Sequence, residues 1–222
     1  MAYDLEEQEQ LASLKAFWNQ YGNLITWILI AALATFAGYN FWNRYQASQA
    51  GEASVLYGQL QEAIVKKDAA LTARAAGDLE SKYGKTAFAQ MGALAAAKAA
   101  FEANDLKTAK AQLQWAIDHG DDEYQSVARL RLSGVLLDEK NYAEADKVIS
   151  TGVQPQFAAE VSDRKGDILV AQNKLAEART AYEAAYKAMA KAHPGRQLVQ
   201  VKLESIGGTV PADPATETKP AA

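Results

Sequence analysis

Residues 128–149 read ARLRLSGVLLDEKNYAEADKVI, and this stretch decides the fold of the chain. Apolar residues recur in it at intervals of three and four, which is the spacing of one face of an α-helix. The polar letters DEKN at residues 138–141 separate two such periodic halves. We therefore expect two antiparallel helices joined by a short turn.

The same pattern returns on both sides, at residues 93–117 and 162–185. Leu106, Tyr142 and Leu175 occupy equivalent positions, separated by 36 and 33 residues. Three further sets correspond in this register: Ala109, Ala145 and Ala178; Leu113, Ile149 and Tyr182; Ala97, Ser133 and Gly166. An asparagine lies near each turn: Asn104, Asn141 and Asn173. A period of about 34 residues is typical of tetratricopeptide units, which bury their apolar faces by stacking into a solenoid.

Weaker versions of the unit are predicted at the two ends of this array. Residues 46–83 resemble a degenerate leading unit, with these side chains turned inward: Val55, Leu56, Leu60, Ile64, Leu71, Ala75 and Leu79. Residues 196–206 would form a closing helix with Leu198, Val201 and Leu203 inward. We expect Ser126 in an inter-helix loop. Residues 207–222 contain three of the five prolines, so we expect a disordered tail.

Residues 16–43 contain no charged side chain. About 20 helical residues cross the hydrocarbon core of a bilayer, and aromatic residues cluster at both ends of this segment, as they do at membrane interfaces. We expect a membrane anchor at residues 23–43, formed by Trp27, Ile28, Leu29, Ile30, Leu33 and Phe36. The predicted fold class is all-α, a single N-terminal transmembrane helix followed by a tetratricopeptide-like α-solenoid. The chain would then consist of a short acidic N-terminus at 1–22, the transmembrane helix at 23–43 and the repeat domain at 46–206.

Two other interpretations of this apolar segment are a cleaved signal peptide, with a site near SQA at 48–50, and a buried core helix. The acidic N-terminus and the long apolar core favour an uncleaved anchor over a signal. Lys15 and Arg44 flank the segment almost evenly, so positive charge alone does not set the orientation. Small residues allow a second helix to approach closely, and we expect this at Ala31, Ala34, Thr35 and Gly38.

Composition excludes several classes of chemistry. A net charge of −4 carries no basic footprint for nucleic acid. Zero cysteines exclude disulfides, thiolate metal sites and cysteine nucleophiles, and only two histidines are present. GKT at 84–86 lacks the first glycine of a phosphate-binding loop, and DDE at 121–123 lacks the spacing of a calcium loop. We expect no catalytic site, no metal site and no cofactor.

The surface of the repeat array is therefore the expected working part, because such arrays bind peptides or partner domains in a groove. Candidate groove residues lie on the first helix of each unit: Lys98, Arg129, Arg131, Arg164 and Lys165. The alternative is that these cations are the solvated faces of amphipathic helices.

The order of these parts, together with FWNQYG at 17–22 and AGYNFWNRYQ at 37–46, resembles the YfgM family of Gram-negative bacteria. The resemblance extends to about residue 206. It implies an inner-membrane protein with a cytoplasmic N-terminus and a periplasmic repeat domain. It also implies association with the SecYEG translocon and with the periplasmic prolyl isomerase PpiD, a chaperone-like handover of secreted polypeptides, and no catalytic residues.

Other functions stay open at this point. The chain could be a scaffold for another envelope complex, since one fold hosts many roles. With the reverse topology it would be a cytoplasm-facing, membrane-tethered regulator. An enzyme would need a pocket of convergent polar groups, which the sequence does not indicate.

Overall fold

The computed structural model describes residues 2–210, with side chains from residue 7 onward. These residues form helices joined by short turns and contain no β-strand, as predicted. The helices are α1 (Ala2–Val65), α2 (Ala69–Tyr83), α3 (Ala87–Glu102), α4 (Leu106–His119), α5 (Asp122–Asp138), α6 (Tyr142–Ser150), α7 (Ala158–Ala171), α8 (Leu175–Ala188) and α9 (Arg196–Ser205), with one 3₁₀ turn at Pro155–Phe157.

The chain divides into two compact units, an N-terminal unit (Met1–Gly51) and a repeat unit (Glu52–Ala222). The division falls inside α1. The limits that the sequence suggests for the anchor and the repeat domain, 23–43 and 46–206, stay predictions.

The N-terminal unit contains the part of α1 that is long and apolar enough to cross a membrane, by length and composition. None of its most apolar window is buried in protein. The predicted anchor side chains are all about half exposed or more: Trp27, Ile28, Leu29, Ile30, Leu33 and Phe36. Large contiguous apolar patches are rare on soluble proteins and are typical of membrane or protein interaction sites.

Polar side chains in this apolar stretch bond back to their own helix. Thr26 Oγ1 donates to Gly22 O at 2.7 Å, and Thr35 Oγ1 donates to Ala31 O at 2.8 Å. A hydrocarbon core offers no water to hydroxyls, so these internal bonds suit a membrane segment. The predicted helix-packing residues Ala31, Ala34, Thr35 and Gly38 are exposed, and the position of a Gly38 Cβ would be open.

The repeat unit consists of four hairpins, α1–α2, α3–α4, α5–α6 and α7–α8, followed by α9. The predicted register is confirmed at its central positions. Ala109, Ala145 and Ala178 are all 0% exposed, and the large residues one turn later are buried as well: Leu113, Ile149 and Tyr182. A small residue at one position lets the helices approach, and the large residue fills the next groove.

Each hairpin turn has the same backbone geometry. The positive-φ residues are Lys67, Asn104, Lys140 and Asn173. In the second hairpin Asn104 N donates to Phe101 O and Asp105 N donates to Ala100 O, which is the bonding of a Schellman motif. Asn141 is therefore equivalent to Asp105 and not to Asn104. The turn at Lys67 identifies the leading unit as a true repeat.

Four side chains predicted to point inward are exposed instead: Val55, Leu71, Leu198 and Val201. Val55 and Leu71 are 64% and 50% exposed, although Leu60, Ala75 and Leu79 are buried as predicted. Val55 lies two residues from buried Ala53, on the opposite side of the helix.

The register of the closing helix α9 also differs from the prediction. Val199 and Leu203, spaced four apart, are buried against the rest of the unit, whereas Leu198 and Val201 are exposed. Of the three residues expected inward, only Leu203 is inward. Apolar residues at 198, 199, 201 and 203 support two registers, and packing chooses between them.

Ser126 was expected in a loop, and this expectation is wrong. It lies in α5 with 0% exposure, where its Oγ donates to Asp122 O at 2.7 Å and accepts from Gln154 N at 3.0 Å. Gln90, 36 positions earlier, is also buried, and its Oε1 accepts from Asp121 N at 3.1 Å. Both side chains hold the segment that follows a hairpin.

From residue 211 onward, the tail predicted to be disordered lies outside the described residues. The residues just before it are bonded to the repeat unit. Arg179 Nε donates to Ile206 O at 2.8 Å, and Gly208 N donates to Leu203 O at 2.9 Å.

Candidate interaction groove

The first helices of successive hairpins lie side by side, with α3 packed against α5 and α5 against α7. A cavity of about 460 Å³, the first cavity, opens along them. Its apolar lining comes from Ala97, Phe101, Leu113 and Val135. Phe101 is 40% exposed, so part of its surface is available to a ligand.

Three of the five predicted groove residues line this cavity: Lys98, Arg131 and Arg164. Asp138 contributes the one carboxylate of its lining. Lys98 Nζ lies 3.7 Å from Glu102 Oε1, and both side chains are mostly exposed. Such exposed pairs contribute little, because water screens them.

Arg131 and Arg164 are held differently. Arg131 Nη1 donates to Leu94 O at 3.3 Å, and Arg131 forms no ion pair with any carboxylate of the described residues. Arg164 Nη1 donates to Asp167 Oδ2 at 3.3 Å, and the guanidinium lies over Gly134, where a Cβ would sit 3.5 Å from its Cζ. Arg131 is thus the cation whose charge is least neutralised by protein.

A second cavity of about 390 Å³ adjoins the first. Lys98 and Arg131 line both cavities, so the two meet at this pair of cations. The other lining residues of the second cavity are Tyr57, Gln61, Ile64, Met91, Leu94, Ala95, Ala99, Glu102 and Tyr124. Because they share these two residues, we treat the two cavities as one surface, called the groove below.

Arg129 and Lys165 line neither cavity. Arg129 lies two residues from Arg131 and so on another side of α5, next to the linker at Gly152. A Cβ at Gly152, whose φ is +72°, would lie 3.1 Å from Arg129 Cζ. Lys165 is half-buried on α7. Helix periodicity shows which residues share a helix face but not which helix that face meets. The sequence therefore could not separate these two residues from the other three.

A polar network joins α7, α8 and α9 beyond Arg164, and sequence reasoning missed it. Lys202 Nζ lies 2.8 Å from both Asp163 Oδ1 and Asp167 Oδ1, and Tyr182 Oη donates to Asp167 Oδ1 at 2.8 Å. Burial raises the pKa of Asp163, and burial with the nearby Asp167 carboxylate raises the pKa of Tyr182. We call these residues, with Arg164, the α9 network.

The described residues contain no group of three or more histidine, cysteine, aspartate or glutamate side chains placed to hold a metal ion. The chemistry that the groove offers is recognition, through apolar surface with cations at its centre. Sites of this kind bind by filling an apolar pocket while a few polar groups fix the orientation.

Comparison with known proteins gives matches over nearly the whole chain. A family described as a tetratricopeptide repeat-like domain matches residues 15–208. A protein of Neisseria gonorrhoeae named ancillary SecYEG translocon subunit is 33% identical over 208 residues, which cover 93% of this chain and 100% of the relative. Proteins with the same name from Haemophilus influenzae and Escherichia coli are each 29% identical; the alignments cover 93% and 82% of this chain and 100% and 87% of the relatives.

Proposed function

Because this chain belongs to the tetratricopeptide repeat-like family of the ancillary SecYEG translocon subunits, we propose that it is a membrane-anchored adaptor of the translocon. The apolar part of α1 holds it in the inner membrane, with the N-terminus in the cytoplasm. The repeat unit works in the periplasm, where it binds the prolyl isomerase PpiD and assists the handover of secreted proteins.

The observation that carries this proposal is the extent of the match. The Neisseria relative is covered over its full length by 93% of this chain, so the apolar helix and the repeats match together. A tethered domain has a high effective concentration for chains that emerge beside its anchor. The groove supplies a binding surface, which supports an adaptor role.

Topology is the first expected result, and the lack of native cysteine makes it measurable. We expect a cysteine at Ala103, an exposed residue after α3, to react with a membrane-impermeant maleimide in intact spheroplasts. A cysteine at Ser13, exposed near the N-terminus, should react only after lysis. Because Ser126 is buried, Ser126→Cys is the matched control and should react only after denaturation.

Reversed labelling of Ala103→Cys and Ser13→Cys would place the repeat unit in the cytoplasm. That result would overturn the periplasmic assignment and favour a cytoplasm-facing, membrane-tethered regulator.

Co-purification tests the partner directly. We expect tagged full-length chain, solubilised from inner membranes in mild detergent, to retain SecYEG subunits and PpiD. The variant Ala34→Ile with Gly38→Ile should retain at least about fivefold less SecYEG, because it adds bulk to the small-residue face on which close helix packing depends. A fivefold loss of binding corresponds to about 1 kcal/mol.

The control is Leu33→Ile with Phe36→Ile, which keeps the apolar length but lies on the opposite side of α1. It should retain SecYEG as the unmodified chain does. Recovery of another envelope complex, with SecYEG at background, would contradict the translocon assignment.

A further inference from the structure

The groove contains an uncompensated cation at the junction of two apolar cavities. Arg131 is exposed and has no carboxylate partner among the described residues, and its one side-chain bond is to Leu94 O at 3.3 Å. Lys98 lies beside it on both cavity linings and is 70% exposed. Two adjacent, hydrated cations of this kind bind a carboxylate with little desolvation cost, since neither has to leave a buried pair.

The charge of the groove is opposite in sign to the net charge of the chain. The whole sequence carries −4, whereas the first cavity has three cations, Lys98, Arg131 and Arg164, against Asp138 alone. Glu102 in the second cavity is the only other carboxylate on the groove, and it is 62% exposed in a weak pair with Lys98. An acidic ligand is therefore attracted here and repelled by the chain's overall charge elsewhere.

Each cavity has room for a large apolar side chain. Phe101, Leu113 and Val135 line the first, and Tyr57, Ile64 and Met91 line the second. Aromatic and methionine side chains adapt to different apolar ligands and are common at binding surfaces. The two cavities meet at Lys98 on α3 and Arg131 on α5, so one extended polypeptide segment that contacts these cations lies beside both cavities.

We infer that the groove binds an extended polypeptide segment in which an acidic side chain lies between two large apolar side chains. The carboxylate pairs with Arg131 and Lys98, and the apolar side chains enter the two cavities. This inference deepens the proposed function and rests on it for the source of the ligand, an emerging secreted chain. The selectivity itself is a property of the groove.

The test uses the full-length chain in nanodiscs and fluorescein-labelled decapeptides with both ends capped. One peptide has a central glutamate with a phenylalanine two residues away on each side. A second peptide replaces the glutamate by lysine, and a third replaces both phenylalanines by serine. Fluorescence anisotropy should give an affinity for the first peptide at least about tenfold higher than for either other peptide. Added salt should reduce this preference for glutamate over lysine.

Arg131→Gln should lower the affinity for the acidic peptide about tenfold and abolish the preference for glutamate over lysine. Lys98→Gln should act in the same direction and guards against a folding effect, because its side chain is exposed. The matched control is Lys187→Gln. Lys187 is also an exposed lysine in an i,i+4 pair on a helix, but it lies in α8, away from the groove.

Equal affinity for the three peptides would overturn the inference, and so would equal effects of Arg131→Gln and Lys187→Gln. Either result would assign the cations to a solvated helix face. The result of the peptide assay is independent of the test of the proposed function, because peptide binding needs no translocon. Normal peptide selectivity with no SecYEG in co-purification would overturn the translocon role alone.

Discussion

Gly166→Val is expected to lower the free energy of unfolding by about 3 kcal/mol, the upper part of the range for overpacking a tight core. A Cβ at Gly166 in α7 would overlap the ring of Tyr182 in α8. The ring has no room to move away, because it is 3% exposed and its Oη is bonded to Asp167. Urea unfolding of the full chain in detergent, followed by far-UV circular dichroism, measures the loss.

Gly77→Val in α2 is the matched control. Gly77 is also helical, but it is exposed and its Cβ position is open. We expect a change of less than about 0.5 kcal/mol there, since glycine and valine differ little in helix propensity. Equal effects at the two glycines would mean that backbone propensity, and not the Tyr182 contact, decides the cost.

The repeats themselves suggest a rescue. The pair at Gly166 and Tyr182 is Ala97 and Leu113 in the second hairpin, so a smaller residue on one helix accompanies a larger one on the other. Gly166→Ala with Tyr182→Leu recreates that second pair. Its cost should be smaller than the sum of the two single costs by about 1 kcal/mol, because contacting residues couple.

Lys202→Met is the second large expected effect, a loss of about 2 kcal/mol at neutral pH. The side chains of Lys202, Asp163 and Asp167 are 23%, 22% and 19% exposed, so removing the cation leaves two carboxylates largely buried without it. Methionine keeps an unbranched apolar side chain at this position. The thermal unfolding midpoint of the full chain, measured across pH, tests this.

The sign of the pH dependence follows from the carboxylates. Burial already raises the pKa of Asp163, and loss of Lys202 should raise it further. A carboxyl whose folded-state pKa is raised stabilises the fold at low pH, and this contribution is lost as pH rises through that pKa. The deficit of Lys202→Met should therefore shrink as pH falls toward about 4, the usual range for aspartate.

Lys110→Met is the control for this experiment, since Lys110 Nζ lies 2.7 Å from one carboxylate, that of Glu139, the residue that follows α5. That pair is more exposed, at 36% and 27%, so its loss should cost less than about 1 kcal/mol. Equal costs for the two lysines would contradict a special role of the α9 network.

The hairpins could be predicted from sequence because one period places the same small and large residues in every unit. Ala145 and Ile149 are buried as that register requires. The register of α9 could not be predicted, because Leu198 and Val201 form as good an apolar stripe as Val199 and Leu203. Ser126 was missed because a serine near acidic residues is as typical of a loop as of a helix start.

The lining of the first cavity could be predicted in part, and its role in binding stays a prediction. Lys98, Arg131 and Arg164 come together because the first helices of the hairpins lie side by side, which the repeat pattern implies. Arg129 and Lys165 could be separated from the groove only once the surfaces facing them were known. The bond between Lys202 and Asp163 joins residues 39 apart in helices of unlike sequence, so no periodicity indicates it.

The helix contacts described above also bear on how the chain acquires its structure in time. From residue 66 to residue 210, each helix makes its main contacts with helices at most two places away along the chain. Contacts between near neighbours close short loops and favour rapid folding. Each hairpin therefore has the next hairpin available to pack against as soon as that hairpin has been synthesised. The contact pattern therefore allows the core to form in the order of synthesis, with α9 packing last against α8.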